Sequence, residues 1–202
     1  MTERVRQIYD RKASSYDASV GRAENLMLGD FRQQFGALMR GDVLEVAVGS
    51  GLNLPYYTPA ATSCTALDLS DGMLTIARDR ADHLGLPVTF VQGDATHLPF
   101  ADHQFDTVGI SLALCTVPDP AAVLRELRRV CRPTGTIVLL EHVLSPHRPV
   151  ALLERLLTPL QSRAMGCHLD RPTIDTARAV GLTIESVQSR RLGVFRLVTA
   201  RL

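Results

Sequence analysis

The amino-acid sequence predicts an α/β fold with a seven-stranded, mostly parallel sheet, an antiparallel last strand, and helices on both faces. Short runs of almost continuously apolar residues alternate with helical patterns, as expected for parallel strands that are buried on both sides. The last two runs are joined by a short connection, which favours an antiparallel pair. A helical pattern also fills residues 1–40, ahead of the first strand.

Local signals justify each element in turn. Asp71 is predicted to cap one helix and Gly85 to end it, while Asp119 and Pro120 open the next. Gly181 ends the last helix. The predicted strands cover residues 43–48, 64–69, 88–91, 105–112, 136–143, 182–188 and 194–200, and the predicted helices cover residues 1–40 (as two helices), 71–83, 119–131, 150–165 and 173–180.

Composition narrows the class of protein. The chain has 202 residues, 46% of them hydrophobic and 21% charged, which fits one globular domain. A net charge of +1 gives no argument for nucleic acid. The N-terminus lacks the apolar core of a signal peptide, and no apolar run approaches the ~18 residues of a membrane span. The four cysteines show neither disulfide nor metal-ligand spacing. We therefore expect a cytoplasmic protein without a metal, and its oligomeric state stays open.

The stretch LEVAVGSG, residues 44–51, is predicted to run from the first strand into a loop of small residues. Such a loop lies at the carboxyl end of the sheet, where open α/β sheets bind ligands. A dinucleotide fingerprint aligned on Gly49 and Gly51 would place Leu54 where a small residue is needed, and Pro55 interrupts the following helix. These two residues argue against an NAD(P)-linked oxidoreductase, which remains the alternative enzyme class.

The same loop also fits the pattern acidic-x-small-x-Gly-x-Gly, from Glu45 to Gly51, with Ala47 at a place usually held by glycine. Asp68 closes the second predicted strand, and GDATHLPF follows the third from Gly93. These motifs, with the R-P-T-G turn that begins at Arg132, resemble class I S-adenosylmethionine (SAM)-dependent methyltransferases. The resemblance implies a Rossmann-like fold and SAM as cofactor, bound by Tyr9, Tyr16, Glu45, Ala47, Gly49, Gly51, Asn53, Asp68, Leu69, Met73, Asp94, Ala95 and Ser111.

Both flanks of this core resemble methyltransferases with lipophilic acceptors. The segment YDRKASSYD, residues 9–17, is similar to a helical lid in ubiquinone/menaquinone C-methyltransferases and small bacterial phospholipid N-methyltransferases. The LALCTV and GCHLDR segments are similar to those of alkyl thiol methyltransferases. The resemblance implies one domain, residues 1–202, with a lid (1–40), a SAM-binding core (41–143), an acceptor-side insertion (144–172) and a C-terminal helix and strand pair (173–202).

The acceptor and its chemistry stay open at this stage. The resemblance implies a phospholipid or amine nitrogen, a thiol sulfur or a quinone carbon, and a non-catalytic relative of the fold is a further alternative. An ammonium acceptor needs a base, for which His142 and His168 are candidates. Tyr16 can orient the acceptor or the carboxylate of SAM. The leucine-rich helix at residues 150–165 is predicted to line the acceptor pocket or to belong to the core. The basic N-terminal helix can touch anionic lipid, and Ala47 is expected to avoid positive φ.

Overall fold

The computed structural model describes the backbone of residues 2–202 and the side chains of residues 3–20, 26–164 and 166–202. Helices and strands follow one another as the sequence predicts. The helices are α1 (Thr2–Leu28), α2 (Phe31–Leu38), α3 (Asp71–Leu84), α4 (Pro120–Val130), α5 (Arg148–Met165) and α6 (Thr173–Ala179). The strands are β1 (Gly41–Val46), β2 (Ala61–Asp68), β3 (Val88–Gln92), β4 (Phe105–Ser111), β5 (Cys131–His142), β6 (Thr183–Arg190) and β7 (Phe195–Arg201).

The strands form one seven-stranded sheet in the order β3-β2-β1-β4-β5-β7-β6. The first five strands are parallel, and β7 is antiparallel to both of its neighbours, β5 and β6. The predicted fold class is therefore confirmed. The chain reverses its direction of winding between β1 and β4, and this switch point is where an open α/β sheet leaves a crevice for a ligand.

Alternation along the strands sends side chains into two cores, one on each face of the sheet. On one face α4 and α6 cover Leu44 and Val46, and on the other α2 covers Val43. α3 packs over Ala66 on the same face as α2. Because neighbouring strand residues point to opposite faces, both faces of these strands are apolar, which explains the nearly continuous hydrophobic runs in the sequence.

Two local predictions needed correction. Ser70, not Asp71, caps α3, because its hydroxyl accepts a hydrogen bond from the amide of Met73. β5 begins at Cys131, five residues before the predicted start, because Cys131 already pairs with Phe105 across an irregular register. Residues 54–56, in contrast, form only a short 3₁₀ turn, which agrees with the break expected at Pro55.

The helix α5 buries the face that the sequence predicts to be exposed, and exposes the face predicted to be buried. Its leucines neither line a pocket nor enter the core: Leu156 and Leu160 are 69% and 68% exposed. The side chains it buries are instead the polar Glu154 and Thr158. Both interpretations offered by the sequence are therefore wrong for this helix. No helix within residues 2–202 is long and apolar enough to cross a membrane.

Candidate active site

A cleft opens at the carboxyl ends of the strands, on the switch point between β1 and β4, and encloses about 920 Å³ including the solvent at its mouth. The cleft brings together most of the residues predicted to bind the cofactor. Those that line it are Tyr9, Tyr16, Ala47, Gly49, Asp68, Leu69, Met73, Asp94, Ala95 and Ser111.

The loop after β1 presents its backbone to the cleft. A Cβ atom built on Gly49 would meet nothing within 4 Å, so the space above this residue is open for a ligand. Gly49 has a φ of +58°, and Ala47 has a φ of +56°. The expectation that Ala47 avoids positive φ is therefore wrong. Ala47 therefore has the left-handed conformation that a glycine at this position would adopt without strain. Because alanine carries a methyl group where glycine has a hydrogen, the backbone at Ala47 is strained.

Asp68 fastens this loop to the end of β2. Its Oδ2 atom accepts the amide of Gly49 at 2.8 Å, and its Oδ1 atom accepts the amide of Ser70 at 2.8 Å. Burial raises the pKa of Asp68, and the backbone donors oppose that shift. Since each carboxylate oxygen has two lone pairs, both oxygens can also accept hydrogen bonds from a ligand in the cleft.

The loop after β3 contributes a second carboxylate. Asp94 and Ala95 line the cleft. The Oδ1 atom of Asp94 accepts from the amide and the hydroxyl of Thr96, at 2.9 and 2.8 Å, which fixes the side chain in a local turn. Asp94 therefore has a set orientation before any ligand arrives.

Glu45 and Asn53 lie behind the cleft wall, not on it. Asn53 donates to Glu45 at 2.6 Å and to Ser111 at 2.7 Å, and Tyr57 donates to the other oxygen of Glu45 at 2.5 Å. Arg32, which does line the cleft, donates to Asn53 at 2.8 Å. Burial raises the pKa of Glu45 to about 6. This buried network supports the wall from behind.

Gly51 also lies off the cleft wall, and it has a packing role. A Cβ atom on Gly51 would come within 2.8 Å of Leu54 and 3.3 Å of Ala77 in α3. The loop after β1 is followed by the buried Leu54 and a 3₁₀ turn, and the next long helix, α3, starts only after β2. A pyrophosphate on this loop would lack the helix that directly follows the loop in a dinucleotide fingerprint, which argues against the dinucleotide alternative.

The helix α1 covers the cleft and is held there by two aspartates. Asp10 accepts a hydrogen bond from the hydroxyl of Ser70. Asp17 accepts from the hydroxyl of Ser50 at 2.6 Å and forms an ion pair with Arg80 of α3. Both partners on the loops, Ser50 and Ser70, also line the cleft. The two Tyr-Asp pairs of the lid segment thus have divided tasks, in which each tyrosine lines the cleft and the following aspartate binds a loop.

Small residues let α1 approach α3 closely. A Cβ atom on Gly72 would come within 3.3 Å of Ala13, which is buried.

Tyr9 forms a hydrogen bond with Thr116 in the loop after β4, and burial raises the pKa of the Tyr9 phenol well above its usual value. Tyr9 therefore stays protonated at neutral pH and does not act as a base there.

Neither predicted base, His142 nor His168, is among the residues that line the cleft. The His142 ring packs edge-on against Phe195, and its Nε2 atom lies 3.7 Å from a carboxylate oxygen of Glu154. Burial lowers the pKa of His142 to about 4, so the ring is neutral at neutral pH. His168 donates its backbone amide to Cys115. Their catalytic roles stay predictions.

Glu141 is a buried group that sequence analysis did not single out. Its Oε1 atom accepts the amides of Ala113 and Leu114, at 3.0 and 3.1 Å, and so shapes the loop after β4. Its Oε2 atom is buried and has no hydrogen-bond partner among the described residues. Burial raises the pKa of Glu141 to about 8. In the sequence, Glu141 could have been recognised as a buried polar residue, because it lies directly before His142 in an otherwise apolar strand.

Sequence reasoning also missed the residues that fasten the lid and the buried cation. Asp10 and Asp17 were visible only as parts of a lid motif, and Arg32 as one of many arginines. Their roles come from contacts with distant residues, which no local pattern encodes. Within the part of the chain whose side chains are described, no group of three or more His, Cys, Asp or Glu residues is arranged to hold a metal ion.

Comparison with known proteins is consistent with this geometry. Residues 44–139 match the model of the methyltransferase domain family. A demethylmenaquinone methyltransferase from Renibacterium salmoninarum is 36% identical over 146 residues, which are 69% of this chain and 59% of the relative. A phosphatidylethanolamine N-methyltransferase from Cereibacter sphaeroides is 43% identical over 102 residues, or 50% of each chain. This chain thus spans between half and two thirds of the length of these relatives.

Solved structures share the architecture. A candidate methyltransferase from Bacillus halodurans superposes with a TM-score of 0.68 and 25% identity, covering 78% of this chain and 70% of that one. A SAM-dependent methyltransferase from Mesorhizobium loti gives a TM-score of 0.65 at 21% identity, covering 85% and 96% of the two chains. The second likeness shows the fold alone. The motif order and the cleft geometry therefore carry the functional argument.

Proposed function

We propose that this chain, whose residues 44–139 match the methyltransferase domain family, transfers a methyl group from SAM to a small lipophilic acceptor. One observation carries the proposal. Asp68 ends β2 on the cleft, where it holds the loop at Gly49 and keeps lone pairs for a ligand. A carboxylate in this place suits the two ribose hydroxyls of a nucleoside.

The rest of the cleft fits the same cofactor. The open space above Gly49 admits a ligand close to the backbone. Asp94, which the Thr96 turn orients, is proposed to meet the adenine amino group, as the family resemblance implies. The buried cation Arg32 reaches the cleft from the other side and suits the carboxylate end of the ligand. Leu69, Met73 and Ala95 provide apolar surface for the adenine ring.

When bound, SAM would supply an electrophilic methyl group on a sulfonium sulfur. The chain need not supply a nucleophile, because methyl transfer is an in-line displacement by the acceptor. Its residues have to hold the acceptor atom at near-attack distance and keep water out. Tyr9 and Tyr16, on the lid, are the side chains best placed for this, since their rings lie 6.1 Å apart on the cleft wall.

The acceptor is proposed to be a lipid or a lipid-like molecule. The two relatives described above are named for demethylmenaquinone and for phosphatidylethanolamine, and both are lipophilic. Nitrogen, carbon and sulfur acceptors all remain within the proposal. A nitrogen acceptor requires a base. With a pKa near 4, His142 is neutral but only weakly basic, so it suits that role only if the lid or the acceptor changes its surroundings.

The parts of the chain are proposed to act as one unit. The lid at residues 1–40 closes over the core at residues 41–143, because Asp10 and Asp17 bind core loops. The insertion at residues 144–172 and the C-terminal part at residues 173–202 complete the acceptor side. The sheet runs through the core and the C-terminal part without a break, which favours one domain.

Titration calorimetry with SAM tests the cofactor. Wild-type protein is expected to bind SAM with a dissociation constant below about a millimolar, and Asp68→Ala to weaken binding roughly 10- to 100-fold through lost charge-assisted hydrogen bonds. Asp82→Ala, an exposed aspartate of α3, is the matched control and should bind like wild type. Equal affinities of wild type and Asp68→Ala, with both proteins folded, would remove Asp68 from the site.

An acceptor screen tests the reaction. The protein is incubated with SAM and, separately, with alkyl thiols, phosphatidylethanolamine and demethylated quinones, and products are identified by a mass gain of one methylene group. Formation of S-adenosylhomocysteine only in the presence of one acceptor class identifies that class. Binding of SAM without turnover on any acceptor would favour the non-catalytic relative.

A further inference from the structure

The helix α5 presents an apolar face to the outside of the protein. Five leucines occupy it at spacings of one, three, one and three residues, so they fall within an arc of about 140° on the helix surface. Each is at least 41% exposed. These residues, called the leucine face below, are Leu152, Leu153, Leu156, Leu157 and Leu160.

The opposite side of α5 is unusually polar. Glu154 is buried and accepts the backbone amide of Ser145 at 2.9 Å, and Thr158 returns its hydroxyl to the carbonyl of Glu154. A helix that packed only for stability would bury its leucines and expose its carboxylate, because each buried leucine contributes roughly 1.5–3 kcal/mol. The inverted arrangement indicates that the leucine face has a function outside the folded chain.

The charges around the leucine face are of one sign. The exposed charged side chains of α5 are Arg148, Arg155 and Arg163, and the helix's one acidic residue, Glu154, is the buried one. At the C-terminal end of α5, Arg163 lies next to a basic surface of α1 that contains Arg4, Arg11 and Lys12. An apolar helix face bordered by arginines is the pattern of a helix that lies in the surface of an anionic bilayer.

The N-terminal helix does not provide this surface itself. Ile8 is buried and Val5 lines the cleft, so the apolar side of α1 faces the protein. The helix α1 contributes charge and a link to the site, because a Cβ atom built on Gly166, directly after α5, would lie 3.7 Å from Val5. Val5 of the cleft wall is therefore close to the C-terminal end of α5.

We propose that the leucine face docks this chain on the surface of an anionic phospholipid bilayer, with α5 lying in the plane of the membrane. A protein partner fits less well. An 18-residue helix is about 27 Å long and about 10 Å wide, which offers a footprint of roughly 300 Å², well below the ~800 Å² per partner of a standard interface. The leucine face also carries no aromatic residue, although aromatic residues anchor most protein interfaces.

A second exposed apolar residue lies near the N-terminal end of α5. Leu192, in the turn between β6 and β7, is 62% exposed, and its carbonyl accepts the hydroxyl of Ser145, which precedes α5. This docking goes beyond the proposed methyl transfer and does not depend on it, because it is measured without cofactor or acceptor.

Vesicle flotation of the full chain tests the proposal. Wild-type protein should float with vesicles of phosphatidylcholine and phosphatidylglycerol, and binding should fall roughly tenfold on phosphatidylcholine alone or at high salt. The triple variant Leu152→Ser, Leu156→Ser, Leu160→Ser should lose at least roughly tenfold of the binding to anionic vesicles. Because these side chains are already exposed, its melting temperature and its affinity for SAM should match wild type.

A matched variant separates the leucine face from exposed apolar surface elsewhere on the protein. Leu84→Ser with Val187→Ser changes two exposed apolar residues outside α5 and should leave vesicle binding unchanged. Equal binding by wild type and the triple variant, or no binding by wild type, would overturn the proposal. A third contradicting result would be a protein that does not bind vesicles but forms a dimer in light scattering, where the dimer depends on the leucine face. The leucine face would then be covered by a second copy of this chain.

Discussion

Two buried glutamates, Glu45 of β1 and Glu141 of β5, show how differently the two sides of the cleft are built. Both are almost completely shielded from solvent. Glu45 receives a donor on each oxygen, from Asn53 and Tyr57, and burial raises its pKa only to about 6. Glu141 receives donors on one oxygen only, and burial raises its pKa to about 8. Both oxygens of Glu45 are thus paired, whereas one oxygen of Glu141 has no hydrogen-bond partner among the described residues.

The same contrast extends beyond these two residues. On the cofactor side, the carboxylates of Asp10, Asp17 and Asp68 all accept hydrogen bonds that fix the loops. Near the end of β5, the Nδ1 atom of His142 and the Oε1 atom of Glu154 are buried without a hydrogen-bond partner among the described residues. The loops after β1 and β2 are therefore held by paired carboxylates, whereas the region at the end of β5 keeps buried polar atoms without such partners.

The largest expected effect is on the pH dependence of stability, through Glu141→Gln. Because the folded-state pKa of Glu141 is above the value of 4.5 of a free carboxyl, its contribution to stability is full below pH 4.5 and is lost as pH rises through about 8. Glutamine cannot ionise, so the variant should gain stability over wild type by up to about 1.4 kcal/mol per pH unit in this window. Denaturant unfolding at several pH values measures it.

Glu45→Gln is the paired variant for that measurement. Its folded-state pKa is about 6, so any pH-dependent gain over wild type should end near pH 6, whereas the gain for Glu141→Gln should continue to about pH 8. Identical pH profiles for the two variants would show that the two sides of the cleft do not differ in this way.

The next largest effect is expected from releasing the lid. Asp10→Ala with Asp17→Ala removes the contacts with Ser70, Ser50 and Arg80. The double variant should weaken SAM binding roughly 10- to 100-fold, because the charge-assisted hydrogen bonds that hold the lid are lost. Calorimetry measures this change. Glu3→Ala, an exposed carboxylate at the start of the same helix, should leave the affinity unchanged. An unchanged affinity in the double variant would mean that the lid is not part of the cofactor site.

A smaller effect is expected from Tyr57→Phe, which makes Glu45 resemble Glu141. The variant loses the 2.5 Å hydrogen bond to one oxygen of a buried carboxylate, which should cost about 1–3 kcal/mol of unfolding free energy at pH 8 and less at pH 5, where Glu45 can protonate. Chemical denaturation at the two pH values tests this difference. Tyr56→Phe, at the half-exposed neighbour, is the control and should change neither value.

The smallest expected effect is at Ala47, where the cofactor loop itself is strained. Ala47→Gly relieves a φ of +56°, and part of the gain is offset by the greater flexibility of glycine in the unfolded chain. We expect a stabilisation of about 0.5–1 kcal/mol, or a rise of about 1–4 °C in melting temperature. A lower melting temperature for the glycine variant would mean that Ala47 is not strained in this loop.

Much of the fold was predictable because its signals are local. Apolar runs, capping residues such as Asp119 and stops such as Gly85 act within a few residues of themselves, and they placed every strand and most helix ends. The cofactor loop and Asp68 were predictable for the same reason, since the motif sits where a strand ends. The direction in which α5 turns its leucines was not, because a helical pattern shows that two faces exist but not which one meets the core.

The sequence by itself determined the α/β class, the order of the motifs along the strands and most of the predicted positions that line the cleft. Only the tertiary structure decided that Glu45 and Asn53 stand behind the wall, that Ala47 holds a positive φ and that neither His142 nor His168 lines the cleft. The physical reason is that burial and hydrogen-bond partners depend on residues far apart along the chain. A carboxylate such as Glu141 becomes distinctive only once the folded chain surrounds it and leaves one oxygen without a partner.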